Sequence, residues 1–315
     1  MSGDKRMPSL LALSNSGTLE DGQDTDNPGV KMFLNGLNGL VPVDDTDLKI
    51  LLPDGTDSII PRPSHWEYGE WKNIVYHQGG LCPVKWGQGY PYNEYCPIID
   101  TRHTLAGCVA VATAQLMAVH KFPESHNGYN YNWDLMTSST YQYYWSDASE
   151  QIARLLHQLG LRENLNMKYG LNGSGASYSK VPPTLKSFGY STAEVINYDT
   201  YQVIPELKNG YPILVRGVSA DGGHMWLVHG LLERTREVKE YLSNGKLSST
   251  YNETHWYVQC NWGWNGYDDG YYLSKVFNTN DGCTYPDGEA SSRAYDSGNG
   301  YNFDQDIKAI INIRK

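Results

Sequence analysis

Cys108, His224, Gln88 and the run Asn261-Trp262-Gly263-Trp264 are the residues of this 315-residue chain whose types and order could carry covalent chemistry. Cys108 opens an alanine-rich helical run, and a thiol in a first helical turn feels the positive end of the dipole, which favours the nucleophilic thiolate. Gly107 ahead of it leaves room for a substrate backbone. Such a nucleophile needs a base. Of the nine histidines, His120 lies about three turns further along the same helix and cannot reach back. His224 follows Asp221-Gly222-Gly223 at the head of an apolar strand, where an imidazole can face a cleft. A side-chain amide oxygen can accept from its Nδ1–H and fix the tautomer, and a neighbouring tryptophan can shield that bond. Asn261 and Trp262 supply both groups. An oxyanion hole needs two donors, here the Cys108 backbone N–H and a side-chain amide. Gln88 is that amide, in the uncharged glycine-rich loop Trp86-Gly-Gln-Gly-Tyr-Pro-Tyr-Asn93.

Two kinds of element must position these groups. Leu105 to Lys121 reads as a helix stopped before Pro123. Ser149 to Leu161 is a second, with Ile152, Leu155, Leu156 and Leu159 at i, i+3, i+4 and i+7. Asn172 to Ser179 is a Gly/Ser loop, and Tyr201 to Lys208 a short helix ended by Asn209-Gly210. After Pro212 the pattern changes to strands: Ile213–Val218, His224–Leu232, Glu237–Leu242, Leu247–Tyr251, His255–Asn261 and Gly270–Val276. Asn244-Gly245 is a hairpin turn, and Asp306–Ile313 is a last strand. Helices first and antiparallel strands second predict an α+β protein of two lobes. Residues 1–63 read differently. Pro28 to Leu40 holds a short amphipathic helix (Val30, Phe33, Leu34, Leu37), and Asp44 to Pro63 is an acidic, proline-dotted linker. The expected division is 1–63 and 64–315.

Composition removes several function classes. A formal net charge of −10 gives no long-range attraction for phosphate backbones, so sequence-independent nucleic-acid binding is not expected. No apolar run is long enough for a spanning helix, so no membrane span is expected. Met1 to Met7 is polar and carries no signal-peptide core. The five cysteines include no Cys-x-x-Cys pair, which removes zinc ribbons and thioredoxin motifs, and at least one thiol must stay unpaired. The Asp- and Asn-rich pieces fit no calcium-loop spacing.

Gln88-Gly-Tyr-Pro-Tyr-Asn93, Gly107-Cys-Val-Ala-Val-Ala-Thr-Ala-Gln-Leu-Met117, Gly223-His224 and Asn261-Trp-Gly-Trp-Asn-Gly266 together resemble the streptopain family of papain-fold cysteine peptidases. The likeness spans roughly residues 66 to 280. It implies a papain-like fold with a helical lobe and an antiparallel sheet lobe. It implies Cys108 as nucleophile, His224 as general base and acid, Gln88 with Cys108 in the oxyanion hole, and Asn261 with Trp262 orienting His224. Gly173-Ser174-Gly175-Ala176-Ser177 is similar to a Gly/Ser stretch of the family's cleft. With Gly107, Gly223 and Trp264 it is expected to bind substrate. The implied protein is a secreted or cell-envelope endopeptidase acting on proteins or peptides, with no metal or organic cofactor. Residues 9–40 look like the end of an inhibitory propeptide, so its own propeptide is an expected partner and the chain is expected to be a truncated zymogen.

Two departures stand out. His224 and Asn261 are 37 residues apart, because a long hairpin from Glu233 to Thr254 replaces a short turn, and Asn278 to Asn302 does not match the family's loop. Two other readings use the same residues. One is a transglutaminase-type acyltransferase with the same Cys/His geometry. The other is a non-catalytic binding module with an aromatic surface, against which the presence of Cys108, His224 and Gln88 together argues.

Overall fold

The computed structural model describes residues 48–51, 57–60, 63–280, 282–286 and 300–315. The expected helix between Pro28 and Leu40 lies outside them, as does most of the loop from Asn278 to Asn302. The chain divides into two compact units, residues 1–72 with 235–254, and residues 73–234 with 255–315. In the first unit, strands β1 (Leu48–Leu51) and β2 (Asp57–Ile60) form an antiparallel hairpin, Leu48 opposite Ile60. This corrects the reading of Asp44 to Pro63 as an acidic, proline-dotted linker, since two of its stretches are paired strands. Strand β3 (Pro63–Tyr68) then pairs antiparallel with residues 238–242, Tyr68 opposite Val238 and Trp66 opposite Glu240.

The second unit holds the helices and most of the sheet, an α+β arrangement as the sequence predicts. Helix α1 (Cys108–His120) is buried along its whole middle, from Val109 to Ala118. It therefore shows no amphipathic stripe; small alanines let neighbours close on every side. Lys121 ends it in the left-handed conformation, its N–H reaching the Ala118 and Met117 carbonyls. Helix α2 (Asp147–Gly160) begins with a reciprocal cap: Ser146 Oγ accepts the Ser149 N–H at 3.2 Å and Ser149 Oγ accepts the Ser146 N–H at 2.7 Å. Its stripe of Ile152, Leu155, Leu156 and Leu159 is buried in the same cluster as α1. Helix α3 (Thr200–Lys208) is capped by Asp199.

The sheet strands of this unit are β4 (Thr192–Asn197), β5 (Ile213–Ser219), β6 (Gly222–Leu242), β7 (Leu247–Asn261), β8 (Gly270–Leu273), β9 (Tyr285–Pro286) and β10 (Gln305–Arg314). The far ends of β6 and β7 belong to the first unit. Their order is β9-β8-β7-β6-β5-β10-β4. One face carries Leu214, Met225, Leu227 and Ile310 toward α1 and α2. The other carries Val215, Trp226, Val228, Val258 and Trp262 toward α3. Both faces being covered, the strands read as unbroken apolar runs rather than alternations. The four strands expected between His224 and Asn261 are two, of 21 and 15 residues. No glycine or proline interrupts Glu233 to Glu237, so nothing breaks the ladder there.

The tight packing of α1 generates a prediction. Ala114 is fully buried, so Ala114→Leu should lower stability by about 1–3 kcal/mol through overpacking. Urea unfolding followed by circular dichroism checks this; an unchanged midpoint would mean slack beside the helix.

Candidate active site

Cys108 is the first residue of α1, and Gly107 before it has φ 90° and ψ 141°, a conformation that L side chains resist. A Cβ at Gly107 would stand 2.8 Å from the Ser174 carbonyl oxygen and 3.0 Å from Met167 Sδ. The glycine thus lets the loop at Gly173-Ser174 lie directly against the helix start. The Gln88 loop is hung on the same place. The Ala106 N–H donates to the Gln88 carbonyl at 2.8 Å, and the Trp86 N–H to Gln115 Oε1, on α1, at 2.9 Å. Gly87 also leaves room for Asn265, whose side chain would come within 2.4 Å of a Cβ there.

His224 sits just after the tight turn between β5 and β6, paired with Gly217. Its ring is buried and walled by aromatics: Trp264 at 4.7 Å, Phe303 at 5.6 Å and Trp262 at 6.1 Å between centroids. Gly217 makes room for this wall, because a Cβ there would meet Phe303 Cβ at 2.9 Å. His224 Nε2 lies 2.9 Å from the Trp262 carbonyl oxygen. A carbonyl only accepts, so Nε2 carries the proton and Nδ1 of the neutral ring is the free base. Burial pushes the His224 pKa down to about 4, partly opposed by that hydrogen bond. Burial likewise raises the Cys108 thiol, while the backbone N–H groups of Met225, Val109 and Cys108 itself pull it back. Cys108, His224 and Gln88 line one cleft of about 310 Å³.

The expected contact from the Asn261 side chain to His224 Nδ1 is replaced by another, in which the held nitrogen is Nε2 and its partner the Trp262 carbonyl. Asn261 Nδ2 donates to the Val84 carbonyl at 2.8 Å, and its Oδ1 accepts the Gly263 N–H at 3.1 Å. Gly263, at φ 71°, turns the chain so that the Trp262 carbonyl takes the place beside the imidazole. Asn261 is thus linked to the ring at one remove. The Gly263 N–H belongs to the same peptide group as the Trp262 carbonyl, and a hydrogen bond at one end of a peptide strengthens the other.

The chain matches the Peptidase C10 family over residues 86–272, more than half its length. It belongs to that family. It is 26% identical to streptopain of Streptococcus pyogenes over 323 residues, covering 88% of this chain and 71% of the relative. It is 25% identical to the thiol protease/hemagglutinin PrtT of Porphyromonas gingivalis, over 71% of this chain and 26% of that protein. The structure of active wild-type interpain A cysteine protease from Prevotella intermedia superposes with a TM-score of 0.53 at 25% identity, covering 75% of this chain and 94% of that one. A Prevotella intermedia prointerpain A fragment superposes at the same TM-score over 100% of this chain and 91% of that chain, at 24% identity, and shows the shared fold. The protein is a cysteine-type peptidase with the papain-like fold.

Of the residues expected in the C10 cleft, Gln88, Cys108, Gly173, Ser174, Gly223, His224 and Trp264 line it. Gly107 supports it from behind the helix start. Gly175, Ala176 and Ser177 do not line it. Gly175 pairs through its backbone with Lys168, Ala176 packs on the core, and Ser177 Oγ accepts the Ser179 N–H to cap a short 3-10 turn. The cleft also takes in residues that sequence reasoning missed: Leu105, Asn172, Ser219, Asp221, Gly222, Tyr301 and Phe303. Tyr301 and Phe303, an i, i+2 aromatic pair ahead of the last strand, were the readable signal. Among the described residues no disulfide joins any of the five cysteines. Among the described residues no group of His, Cys, Asp and Glu is arranged to hold a metal ion, and no helix is long and apolar enough to cross a membrane.

A pH dependence follows from His224. The folded ring takes a proton only near pH 4, the unfolded one near 6.5. Between these values the unfolded chain binds more protons, so stability falls as pH drops through the window, by at most about 3 kcal/mol. Unfolding free energies measured from pH 7 to 4 should fall less steeply in His224→Gln; parallel curves would contradict the shift.

Proposed function

We propose that this C10 peptidase is an endopeptidase that cleaves protein substrates through a thioester formed on Cys108. The observation that carries this reading is the meeting of Cys108, His224 and Gln88 in one cleft. Burial disfavours an isolated thiolate and an isolated imidazolium alike, but passing the proton from Cys108 Sγ to His224 Nδ1 creates both together, each offsetting the other. The sulfur attacks the scissile carbonyl carbon, and the oxyanion takes hydrogen bonds from the Cys108 N–H and the Gln88 amide. Collapse breaks the C–N bond as His224 protonates the departing amine. The imidazole then takes a proton from water, which attacks the thioester and returns the thiol. The Trp262 carbonyl keeps Nε2 protonated throughout, with Asn261 behind it.

Specificity in this reading rests on the residue two before the scissile bond, bound in an apolar pocket. The small Gly173 and Ser174 leave space for it and Phe303 supplies apolar surface. Residues 1–63 act as the inhibitory segment, a role supported by the fold shared with the prointerpain A fragment. Such latency suits a peptidase that works outside the cell or at its envelope.

Cys108→Ala and His224→Ala should each abolish casein hydrolysis while leaving the circular dichroism spectrum intact. Gln88→Ala should slow hydrolysis by about 10²- to 10³-fold, one oxyanion donor remaining. Full turnover by a folded Cys108→Ala protein would overturn the mechanism. The processing half of the reading has its own test. Incubated active protein should shorten from its N-terminus to a form beginning between Leu51 and Trp66. The pairing of Pro63–Tyr68 with residues 238–242 favours the earlier part of that window, since a laddered strand resists cleavage. Cys108→Ala should stay full length, and N-terminal sequencing that finds both proteins intact would count against self-processing.

A further inference from the structure

Asp269 is a carboxylate with a side chain only 1% exposed, and a buried charge persists only where its oxygens are engaged. Its Oδ1 accepts the Trp262 backbone N–H at 2.9 Å. Lys85 Nζ stands 3.9 Å from its Oδ2. Trp262 is the residue whose carbonyl faces His224 Nε2. It is therefore gripped on both sides, its own N–H by Asp269 and the next peptide N–H by Asn261. The indole gives a third anchor, Nε1–H donating to the Asp268 carbonyl at 3.0 Å.

We propose that Asp269 is a positioning residue of this active site, holding Trp262 so that its carbonyl fixes the plane and tautomer of His224, with Lys85 as the compensating charge. The inference rests on the proposed roles of Cys108 and His224. A carboxylate suits the task better than an amide, because a backbone N–H bond to an ionised oxygen is shorter and roughly twice as strong. Lys85 is equally placed for its part. A Cβ at Gly266, which sits at φ 80°, would meet Lys85 Cδ at 2.8 Å, so the glycine keeps open the lysine's path. Lys85 also lies between Val84, whose carbonyl holds Asn261, and the loop that carries Gln88. The Lys85–Asp269 pair thus ties the oxyanion side of the cleft to the base side.

The test compares Asp269→Ala and Asp269→Asn with wild type in the full chain. It reads kcat and KM on a peptide substrate, the rate of iodoacetamide alkylation of Cys108 at neutral pH, and the thermal midpoint. Asp269→Ala should lower kcat by up to about 10²-fold, the scale of a small misplacement of a catalytic group, and slow alkylation with it. KM should stay within about twofold, because no substrate contact is lost. Asp269→Asn keeps an oxygen without the charge and should fall between. A folded Asp269→Ala protein with wild-type kcat and alkylation overturns the proposal, even if its midpoint drops, and so does a change confined to KM. Should the alanine variant fail to fold, an asparagine variant indistinguishable from wild type in both rates overturns it equally. Failure of the underlying reading looks different: Cys108→Ala or His224→Ala would then retain hydrolysis.

Discussion

The hydrogen bond from His224 Nε2 to the Trp262 carbonyl, 2.9 Å long, is the constraint on which the cleft depends. A buried imidazole with neither nitrogen held could present either tautomer to the thiol. One fixed proton removes that freedom and leaves Nδ1 as the unprotonated nitrogen. The bond demands a carbonyl in a place where a strand would normally turn it into the ladder. Gly263 meets the demand by taking φ 71°, just past the end of β7. The turn then needs support of its own, and a side-chain amide, a carboxylate and an indole supply it.

Close approach of backbone to backbone is the second requirement. Gly107 and Gly217 each stand where a Cβ would strike a neighbour, Ser174 at the helix start and Phe303 over the sheet. They act at opposite sides of the same cleft. One lets the Gly/Ser loop reach Cys108; the other lets an aromatic ring cover His224. Around them α1 has no solvent face, so Cys108 is presented by an element that packing holds on all sides.

Cys108, His224 and Gln88, which the structure brings to one cleft, could be picked out because each announces itself locally: a thiol at a helix start, an imidazole after two glycines, an amide in an uncharged glycine-rich loop. The α+β class was legible for a similar reason, since helical and strand periods occupy different halves of the chain. Asn261 was legible as a residue of interest but not in its contacts. Its amide is claimed by Val84, 177 positions away, and no local pattern reports such a partner. Gly175, Ala176 and Ser177 fell to the same limit, because a Gly/Ser stretch does not say which of its members faces the cleft. The β1–β2 hairpin was hidden by short strands, and the long β6 and β7 by a charged stretch that reads like a break. Tyr301 and Phe303 reach the cleft only through the register of β10, which is a tertiary fact.

Strand β10 comes after every other strand in sequence, yet it lies inside the sheet, between β5 and β4. Its Ala309, Ile310, Ile311 and Ile313 feed both cores, and Phe303 just before it walls the histidine. A nascent chain that has emerged only as far as the Asn-Trp turn already carries Cys108, Gln88 and His224, but it lacks the strand that joins the edges of its sheet. Domains fold as units, and long-range pairings close last. The last strand to be made is thus a middle strand of the sheet, and its pairing with β5 and β4 is a long-range contact that only the finished chain can close.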